Sequence, residues 1–375
     1  MALEVRPART YRDRRAFIDL PFRLHAGTPW VPPLILERLI FLSPRFGQFF
    51  QGGRGTAELF LAERDGRVVG RISAHVDHAY NRHHDARWGW FGFFECEDDQ
   101  EAAGALLDAA RGWLRARGME RMVGPADFTM NDESGIVVEG FDLRPMIRQP
   151  WHPPYYQRLV EAAGLEKEVD LLTWSLEITD REKMLPVLFE LADQVGPKHG
   201  ITIRRMSRLH LRRDLDAFAE IYNRAWRRNF GFVPYSDEDV DAYAAELQLV
   251  YDRDWFMLAV HGDEHVAMAI TIPDVNQVLN RMQGRLLPLG WWYFLRKRSI
   301  IDRVRVGFLG VKPEYQHTGV AAALYVEHFE TSARHERIKG GEMGWILETN
   351  KAMNRGMEAM NGRVVKRYRV YRSDL

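Results

Sequence analysis

The sequence predicts an α/β protein of two lobes with mixed sheets, in which one structural plan occurs twice. Three observations support this fold class. The chain has 375 residues and 46% of them are apolar, which is enough for a hydrophobic core in each lobe. A β-hairpin pattern occurs in each half, and each hairpin is followed by a further strand, a turn and a helix.

The first copy opens with apolar strands on both sides of an Asp65-Gly66 turn, a sequence that favours a tight hairpin. An acidic loop then leads into a helix that ends near Gly118. The predicted strands are 58–64, 67–74, 88–94, 121–124 and 169–176, and the predicted helices are 106–114 and 155–163. The first 55 residues contain proline-rich and aromatic segments, which we expect to pack on this lobe.

The second copy repeats this order, with a hairpin around Gly262-Asp263 and a strand at 306–309. Counting onward from Gly92 and Gly307 places Gly319 opposite Gly104. A predicted helix at 180–194 connects the halves. The sequence thus predicts a first lobe at 1–178 and a second lobe at 179–375.

The two copies differ in charge at the turn that precedes the helix. The first copy is acidic there, and unscreened carboxylates repel a phosphate; these residues are Glu95, Glu97, Asp98, Asp99 and Glu101. The second copy has Lys312, one carboxylate at Glu314, and side chains able to donate hydrogen bonds. We therefore expect the second copy alone to bind phosphate groups at its helix N-terminus.

Composition restricts the class of partner. The formal net charge is zero, which does not favour nucleic acid as a partner. Cys96 is the single cysteine and fits a reducing compartment. No apolar run approaches the length that spans a bilayer, and the histidines at 75, 78, 83 and 84 lack ligand spacing for a metal site. These features predict a cytoplasmic protein, with contact to the inner membrane face as an open alternative.

Two motifs in the second half carry a family resemblance. A strand ending Leu309-Gly310-Val311 precedes Gln316-x-x-Gly319-x-Ala321 and a helix, and about 25 residues later Trp345-Ile346-Leu347-Glu348-Thr349-Asn350 precedes another helix. Together they resemble the GNAT superfamily of acyl-CoA-dependent N-acyltransferases. The resemblance covers roughly residues 200–375, and the first half is similar to a degenerate copy of the same fold.

The resemblance implies a coenzyme A thioester, acyl-CoA or acetyl-CoA, as co-substrate and no metal. The backbone N–H groups of residues 317–321 would face the pyrophosphate, and strand 308–311 would bind the pantetheine arm. An N–H near Gly310 or Val311 would stabilise the oxyanion. The implied cofactor-binding residues are Leu309, Gly310, Val311, Gln316, His317, Thr318, Gly319, Val320, Ala321 and Asn350.

The expected catalytic residues are Glu348 and Asn350. Relatives in the superfamily use the Asn at the cofactor arm or the reacting centre, while Asn is also a common helix N-cap. Many relatives carry a tyrosine acid seven residues later, where this chain has Met357. Amine acylation needs a base, and Glu348 is the first candidate, ahead of Glu342, His317 and Tyr315; a solvated or ion-paired Glu348 is the alternative.

An insertion distinguishes the second copy. Ala259 to Gly307 spans 48 residues and Ala62 to Gly92 spans 30, a difference of 18. The insert contains an apolar run bounded by basic residues at 285–298. Three interpretations remain open: peripheral contact with a membrane, the wall of an apolar substrate pocket, or packing against the first lobe.

Several segments together resemble the two-lobed bacterial group that includes bacterial ceramide synthases. They are 223–226, 231–234, 273–276, 284–288 and 345–350. This resemblance implies transfer of a fatty acyl group to a lipid-like amine such as a sphingoid base, in a ternary complex. Two alternatives stay open, namely acetyl transfer to a small soluble amine and non-catalytic binding of acyl-CoA or lipid. The acyl-chain length and oligomeric state are not predicted.

Overall fold

A computed structural model describes residues 2–375, apart from the side chains at 243, 245–247, 249 and 250. The first part of the chain forms β1 (Leu3–Pro7), α1 (Tyr11–Leu24), α2 (Ile35–Phe41), β2 (Gly55–Arg64), β3 (Arg67–Asp77), α3 (His78–His84), β4 (Trp88–Cys96), α4 (Gln100–Arg115), β5 (Arg121–Gly124), β6 (Ile136–Glu139), α5 (Tyr155–Ala162) and β7 (Glu166–Glu177).

The second part forms α6 (Pro186–His199), β8 (Ile201–Arg205), α7 (Leu211–Ala225), α8 (Asp237–Val250), β9 (Phe256–His261), β10 (Glu264–Pro273), α9 (Asn276–Met282), α10 (Gly290–Leu295), α11 (Lys297–Ile300), β11 (Arg303–Val311), α12 (Val320–Arg334), β12 (Gly340–Leu347), α13 (Lys351–Ala359) and β13 (Arg363–Asp374). Within the described residues, no helix combines the length and the apolar character that a membrane crossing requires.

The chain forms two compact units, and each unit is built from more than one segment of the sequence. Unit 1 contains Met1–Leu171, Asn276–Arg296 and Lys366–Leu375, and unit 2 contains Leu172–Val275 and Lys297–Val365. Most of the predicted insert and the end of the chain thus lie in unit 1. In that unit, β13 pairs antiparallel with β5 and β6, although more than 220 residues separate β13 from either strand.

Unit 1 has apolar residues on both faces of its sheet. Side chains alternate along β2, so Phe60 and Ala62 pack with helices α4 and α5, while Leu59 and Leu61 pack with α1. The hairpin predicted at Asp65-Gly66 is β2 and β3, paired in register from Gly55↔Asp77 to Arg64↔Arg67. Strand β4 then pairs parallel with β5, and α4 connects them.

Unit 2 repeats the plan. Strands β9 and β10 form the hairpin. Strand β11 pairs parallel with β12, and helix α12 connects these two strands in the chain. Helices α6 and α12 cover one face, where Val306 is buried, and α7 and α8 cover the other, where Val304 is buried. The predicted α/β fold with a repeated plan is confirmed.

The predicted residue-by-residue alignment of the two copies is wrong beyond the strand. Gly104 lies inside α4, whereas Gly319 immediately precedes α12. The reason is the length of the connection: residues 97–99 join β4 to α4, while residues 312–319 join β11 to α12. The five additional residues accommodate a 3-10 helix at Pro313–Thr318.

Candidate active site

Strands β11 and β12 pair over only part of their length. The parallel register joins Arg303–Val306 to Gly340–Met343, and both strands continue beyond it, to Val311 and Leu347. On its other side β11 remains paired with β10 as far as Val311↔Ala267, with a bulge that leaves Gly307 without a register partner. Residues 307–311 therefore present one edge that the sheet leaves open.

The register fixes which backbone groups face this open edge. The Lys312 N–H donates to the Val266 carbonyl at 2.9 Å, so position 312 faces β10. Alternate residues of a strand direct their N–H and C=O groups to the same side, so Gly310 also faces β10. Leu309 and Val311 then direct their backbone groups to the open edge, and of the two predicted oxyanion donors Val311 has its N–H on that side.

Glycine at position 310 has a packing explanation. A Cβ there would collide with the indole ring of Trp226, which lies at the C-terminal end of α7. The indole covers this stretch of β11 on one face of the sheet. Trp226 thus supports the strand whose edge is open, a relationship that the separate sequence motifs did not reveal.

The N-terminus of α12 lies directly after the open strand. Gly319 precedes the helix with φ at +80°, and no side chain caps it. The Val320 N–H donates to the Thr318 hydroxyl oxygen at 3.4 Å. The first N–H groups of a helix have no partner within the helix, so the next amides, those of Ala321 and Ala322, are available to an anion. A Cβ on Gly319 would approach the Leu191 carbonyl oxygen to 3.2 Å, so the glycine is required by the backbone conformation and by packing on α6.

Two charged side chains near the turn already have partners. The Lys312 side chain is buried, and its Nζ lies 2.6 Å from Glu220 and 2.9 Å from Glu264. Glu314 pairs with Arg224 at 2.7 Å. The ammonium group of Lys312 is therefore engaged by carboxylates, and an anion at this turn would meet backbone amides rather than a free ammonium group.

The polar residues of the turn divide into exposed and engaged groups. Gln316 and His317 are exposed. The Thr318 hydroxyl is buried and donates to the Tyr315 carbonyl at 2.7 Å. The Tyr315 hydroxyl donates to Glu264 at 2.9 Å, and this hydrogen bond raises the pKa of Tyr315, which disfavours it as a base. Gln316 and His317 are the side chains able to contact a phosphate from solvent.

The second motif occupies the turn between β12 and α13. Glu348 is half-buried there. Asn350 caps α13, because its Oδ1 accepts a hydrogen bond from the Met353 N–H at 3.2 Å. Met357 is fully buried in the core, so neither its chemistry nor its position allows it to protonate a leaving thiolate. Glu342 is also buried, opposite Arg305 in the β11–β12 register.

Trp345 and Tyr325 also lie in this region, and the sequence identified neither as a candidate site residue. The Trp345 Nε1 is buried and has no hydrogen-bond partner among the groups that the structure describes, although an indole N–H normally finds one. Tyr325 of α12 packs against Gly356, where a Cβ would lie 3.2 Å from the Tyr325 hydroxyl, and burial raises its pKa. Trp345 lies on β12 beyond the residues that pair with β11.

The corresponding position in unit 1 is closed by its own side chains. Asp99 caps α4 by accepting from the Ala102 N–H, and it pairs with Arg64 at 2.8 Å. Glu95 is buried and hydrogen-bonded to Tyr156 at 2.7 Å. The Asp99 carboxylate already accepts a hydrogen bond at the N-terminus of α4, and its negative charge repels a phosphate. This helix N-terminus is therefore not suited to bind one. Of the two copies, α12 alone has the open arrangement.

Comparison with known proteins finds relatives that match this chain along almost its whole length. No family model matches the chain. The chain is 32% identical over 373 residues to "Protein YghO" of Escherichia coli (strain K12), covering 97% of this chain and 93% of that protein. It is also 32% identical over 381 residues to "Bacterial ceramide synthase" of Caulobacter vibrioides, covering 100% of this chain and 98% of that protein.

Solved structures give the same fold. A tandem GNAT protein from the clavulanic acid biosynthesis pathway matches with a TM-score of 0.58 at 14% identity, covering 100% of this chain and 98% of that chain. A GCN5-related N-acetyltransferase from Sphaerobacter thermophilus matches with a TM-score of 0.52 at 14% identity, covering 99% and 95%. The chain therefore belongs to the family of its relatives from Escherichia coli and Caulobacter vibrioides, and its fold is that of the tandem GNAT proteins, as the sequence resemblance predicted.

Proposed function

We propose that this protein transfers an acyl group from acyl-CoA to the primary amine of a lipid-like acceptor, such as a sphingoid base, by direct attack in a ternary complex. The observation that carries the acyl-CoA part is the open edge of β11 followed by the uncapped N-terminus of α12. The 32% identity to a protein named bacterial ceramide synthase, over the whole chain, supports the choice of acceptor.

The residues present fit a coenzyme A thioester. The first-turn N–H groups of α12 would hold the pyrophosphate, with Gln316 and His317 as solvent-side donors. Leu309 and Val311 would hydrogen-bond the pantetheine arm along the open edge, in the way that an added strand pairs with a sheet. The buried Trp345 N–H, which has no partner in the part of the chain that the structure describes, supports a ligand acceptor beside β12.

The proposed chemistry assigns three roles to this chain. The Val311 N–H stabilises the oxyanion that develops when the amine attacks the thioester carbonyl. Glu348 takes the proton that the amine must lose, directly or through water. The C–N bond forms, the C–S bond breaks, and the thiolate leaves without a tyrosine acid, since Met357 occupies that position in the core. Asn350 orients the turn by capping α13.

A thiol-release assay on the full chain tests the proposal. Acetyl-CoA and palmitoyl-CoA are each offered with sphinganine, with small soluble amines and with no amine, and products are identified by mass spectrometry. We expect release with palmitoyl-CoA and sphinganine, and formation of the N-acyl product. Release with acetyl-CoA and soluble amines alone would contradict the lipid acceptor. Binding of acyl-CoA with no release under any condition would contradict catalysis itself.

We also propose that the reaction takes place in the cytoplasm. Cys96 is buried and free, which fits a reducing compartment, and acyl-CoA is a cytoplasmic donor. Fractionation of cells that express the tagged full chain tests this proposal, and recovery from an extracytoplasmic fraction would contradict it.

A further inference from the structure

Unit 1 presents an unusually apolar exposed surface. The segment Leu286–Leu295 contains seven large apolar side chains that are at least one-third exposed, and Leu287 and Leu295 are exposed by 71% and 67%. Scattered apolar residues are ordinary on a protein surface, but a contiguous group of this size marks an interaction site. We call residues 286–295 the apolar segment.

A second element widens this surface. Leu36 and Ile40 of α2, together with Phe46 after it, are also exposed. A groove of about 380 Å³ lies between α2 and the apolar segment, and it is lined mainly by apolar side chains. Four of them are Leu34, Leu36, Ile40 and Leu286. A groove of this character accepts a hydrocarbon chain.

The apolar segment is held in place rather than trailing in solvent. The Ile35 N–H donates to the Gly284 carbonyl at 3.1 Å, and a Cβ on Gly284 would collide with the Phe22 ring. The Asn276 side chain donates to the Pro145 carbonyl at 3.0 Å. Its exposed apolar side chains are therefore presented by a packed framework, so their exposure is a fixed property of unit 1.

The charge of this region indicates which class of partner it binds. Residues 276–296 of unit 1 contain three basic residues and no Asp or Glu. Arg281, Arg285 and Arg296 are exposed, and Arg296 lies over the ring of Trp292 at 5.8 Å. Basic residues that flank exposed tryptophan and leucine are suited to the interface of an anionic bilayer.

We infer that the apolar segment and α2 dock unit 1 on an anionic lipid bilayer, with Trp291 and Trp292 at the headgroup level and one lipid chain entering the groove. A second copy of the chain is a poorer occupant, because a two-fold interface would bring two such basic regions together. The inference goes beyond acyl transfer, and it holds for a lipid acceptor or a soluble one.

Vesicle sedimentation of the full chain tests the inference. Phosphatidylcholine vesicles are compared with vesicles that also contain phosphatidylglycerol. We expect binding to the anionic vesicles, weaker binding to the neutral ones, and loss of the difference at high salt, because surface charges are then screened. Tryptophan fluorescence should shift to the blue on binding.

Matched variants make the test specific. The triple variant Leu287→Ser, Leu289→Ser, Leu295→Ser changes exposed side chains alone, and we expect about tenfold or greater loss of vesicle binding. The control variant Tyr11→Ser, Leu209→Ser changes residues that are 68% and 91% exposed elsewhere, and it should bind like the wild type. Circular dichroism checks that both variants fold.

Three results would overturn the inference: no binding of the wild-type chain to anionic vesicles, equal binding by the triple variant, or a wild-type dimer that the triple variant converts to monomer without any vesicle binding. The sedimentation contains no acyl-CoA and no amine, so its failure would leave the thiol-release result unaffected. The two proposals can therefore fail separately.

Discussion

Substitution of Gly319 separates the electrostatic role of the α12 N-terminus from its packing role. Gly319→Ala places a Cβ at a backbone φ of +80° and 3.2 Å from the Leu191 carbonyl oxygen. The left-handed conformation costs about 1–2 kcal/mol for an L-residue, so we expect a comparable loss in the free energy of unfolding. Gly319→Asp also places a Cβ at this position and adds a carboxylate beside the first-turn amides.

The difference between these two variants isolates the charge. A carboxylate about 5 Å from one phosphate charge costs about 3 kcal/mol at an effective dielectric constant of about 20. Screening reduces this cost, and we expect the Asp variant to bind coenzyme A about 10- to 100-fold more weakly than the Ala variant. Isothermal titration calorimetry measures both affinities, and urea unfolding measures the stabilities.

Gly104 provides the matched control in unit 1. It lies inside α4, and a Cβ there meets no atom within 4 Å. Gly104→Ala and Gly104→Asp should leave coenzyme A affinity unchanged. Equal affinities for the Ala and Asp variants at position 319 would refute the argument that the α12 amides hold the pyrophosphate, as would a loss of affinity caused by Asp at position 104.

Three further predictions concern unit 2. Glu348→Gln should lower the rate of acyl transfer by about 10²-fold or more and shift its pH profile. The control Glu358→Gln, on the exposed face of α13, should change neither. Unchanged turnover of Glu348→Gln across pH would show that Glu348 is not the base. Met357→Tyr should destabilise the chain by about 1–3 kcal/mol through overpacking without raising the rate, and a faster variant would show that the hydroxyl reaches the thiolate. Burial lowers the pKa of His328 from 6.5 to about 4, so the unfolded state binds more protons between these values, and stability falls as the pH drops through this window. His328→Asn should therefore lose less stability than the wild type between pH 7 and pH 4.5 in urea unfolding, and parallel losses would contradict the assignment.

The repeated plan was predictable because its signals are local. The Asp65-Gly66 turn and the alternating residues beside it specify a hairpin, and the same holds around Gly262. The end of the chain behaves differently. Strand β13 pairs with β5 and β6 in unit 1, and no local pattern in Arg363–Asp374 distinguishes one sheet from the other. Assignment of the last ten residues to a unit therefore required the structure.

The candidate site also combines local features that the sequence predicts with long-range contacts that it does not. The position of the turn at Gly319 follows from the motif, but the role of Lys312 does not. The sequence places Lys312 as a cation beside the turn, and the structure pairs it with Glu220 and Glu264, which are 92 and 48 residues away. Ion pairs between distant segments leave no pattern along the chain. The contact of Trp226 with Gly310 could not be predicted from the sequence either, because these two residues are also far apart in the chain.

A crystal structure of the full chain with bound coenzyme A tests the proposed binding mode most directly. We expect the pyrophosphate oxygens to accept hydrogen bonds from the first-turn N–H groups of α12, and the pantetheine arm to lie along the open edge of β11 at Leu309 and Val311. Coenzyme A bound at α4, or a pantetheine arm that leaves the edge of β11 unpaired, would contradict it.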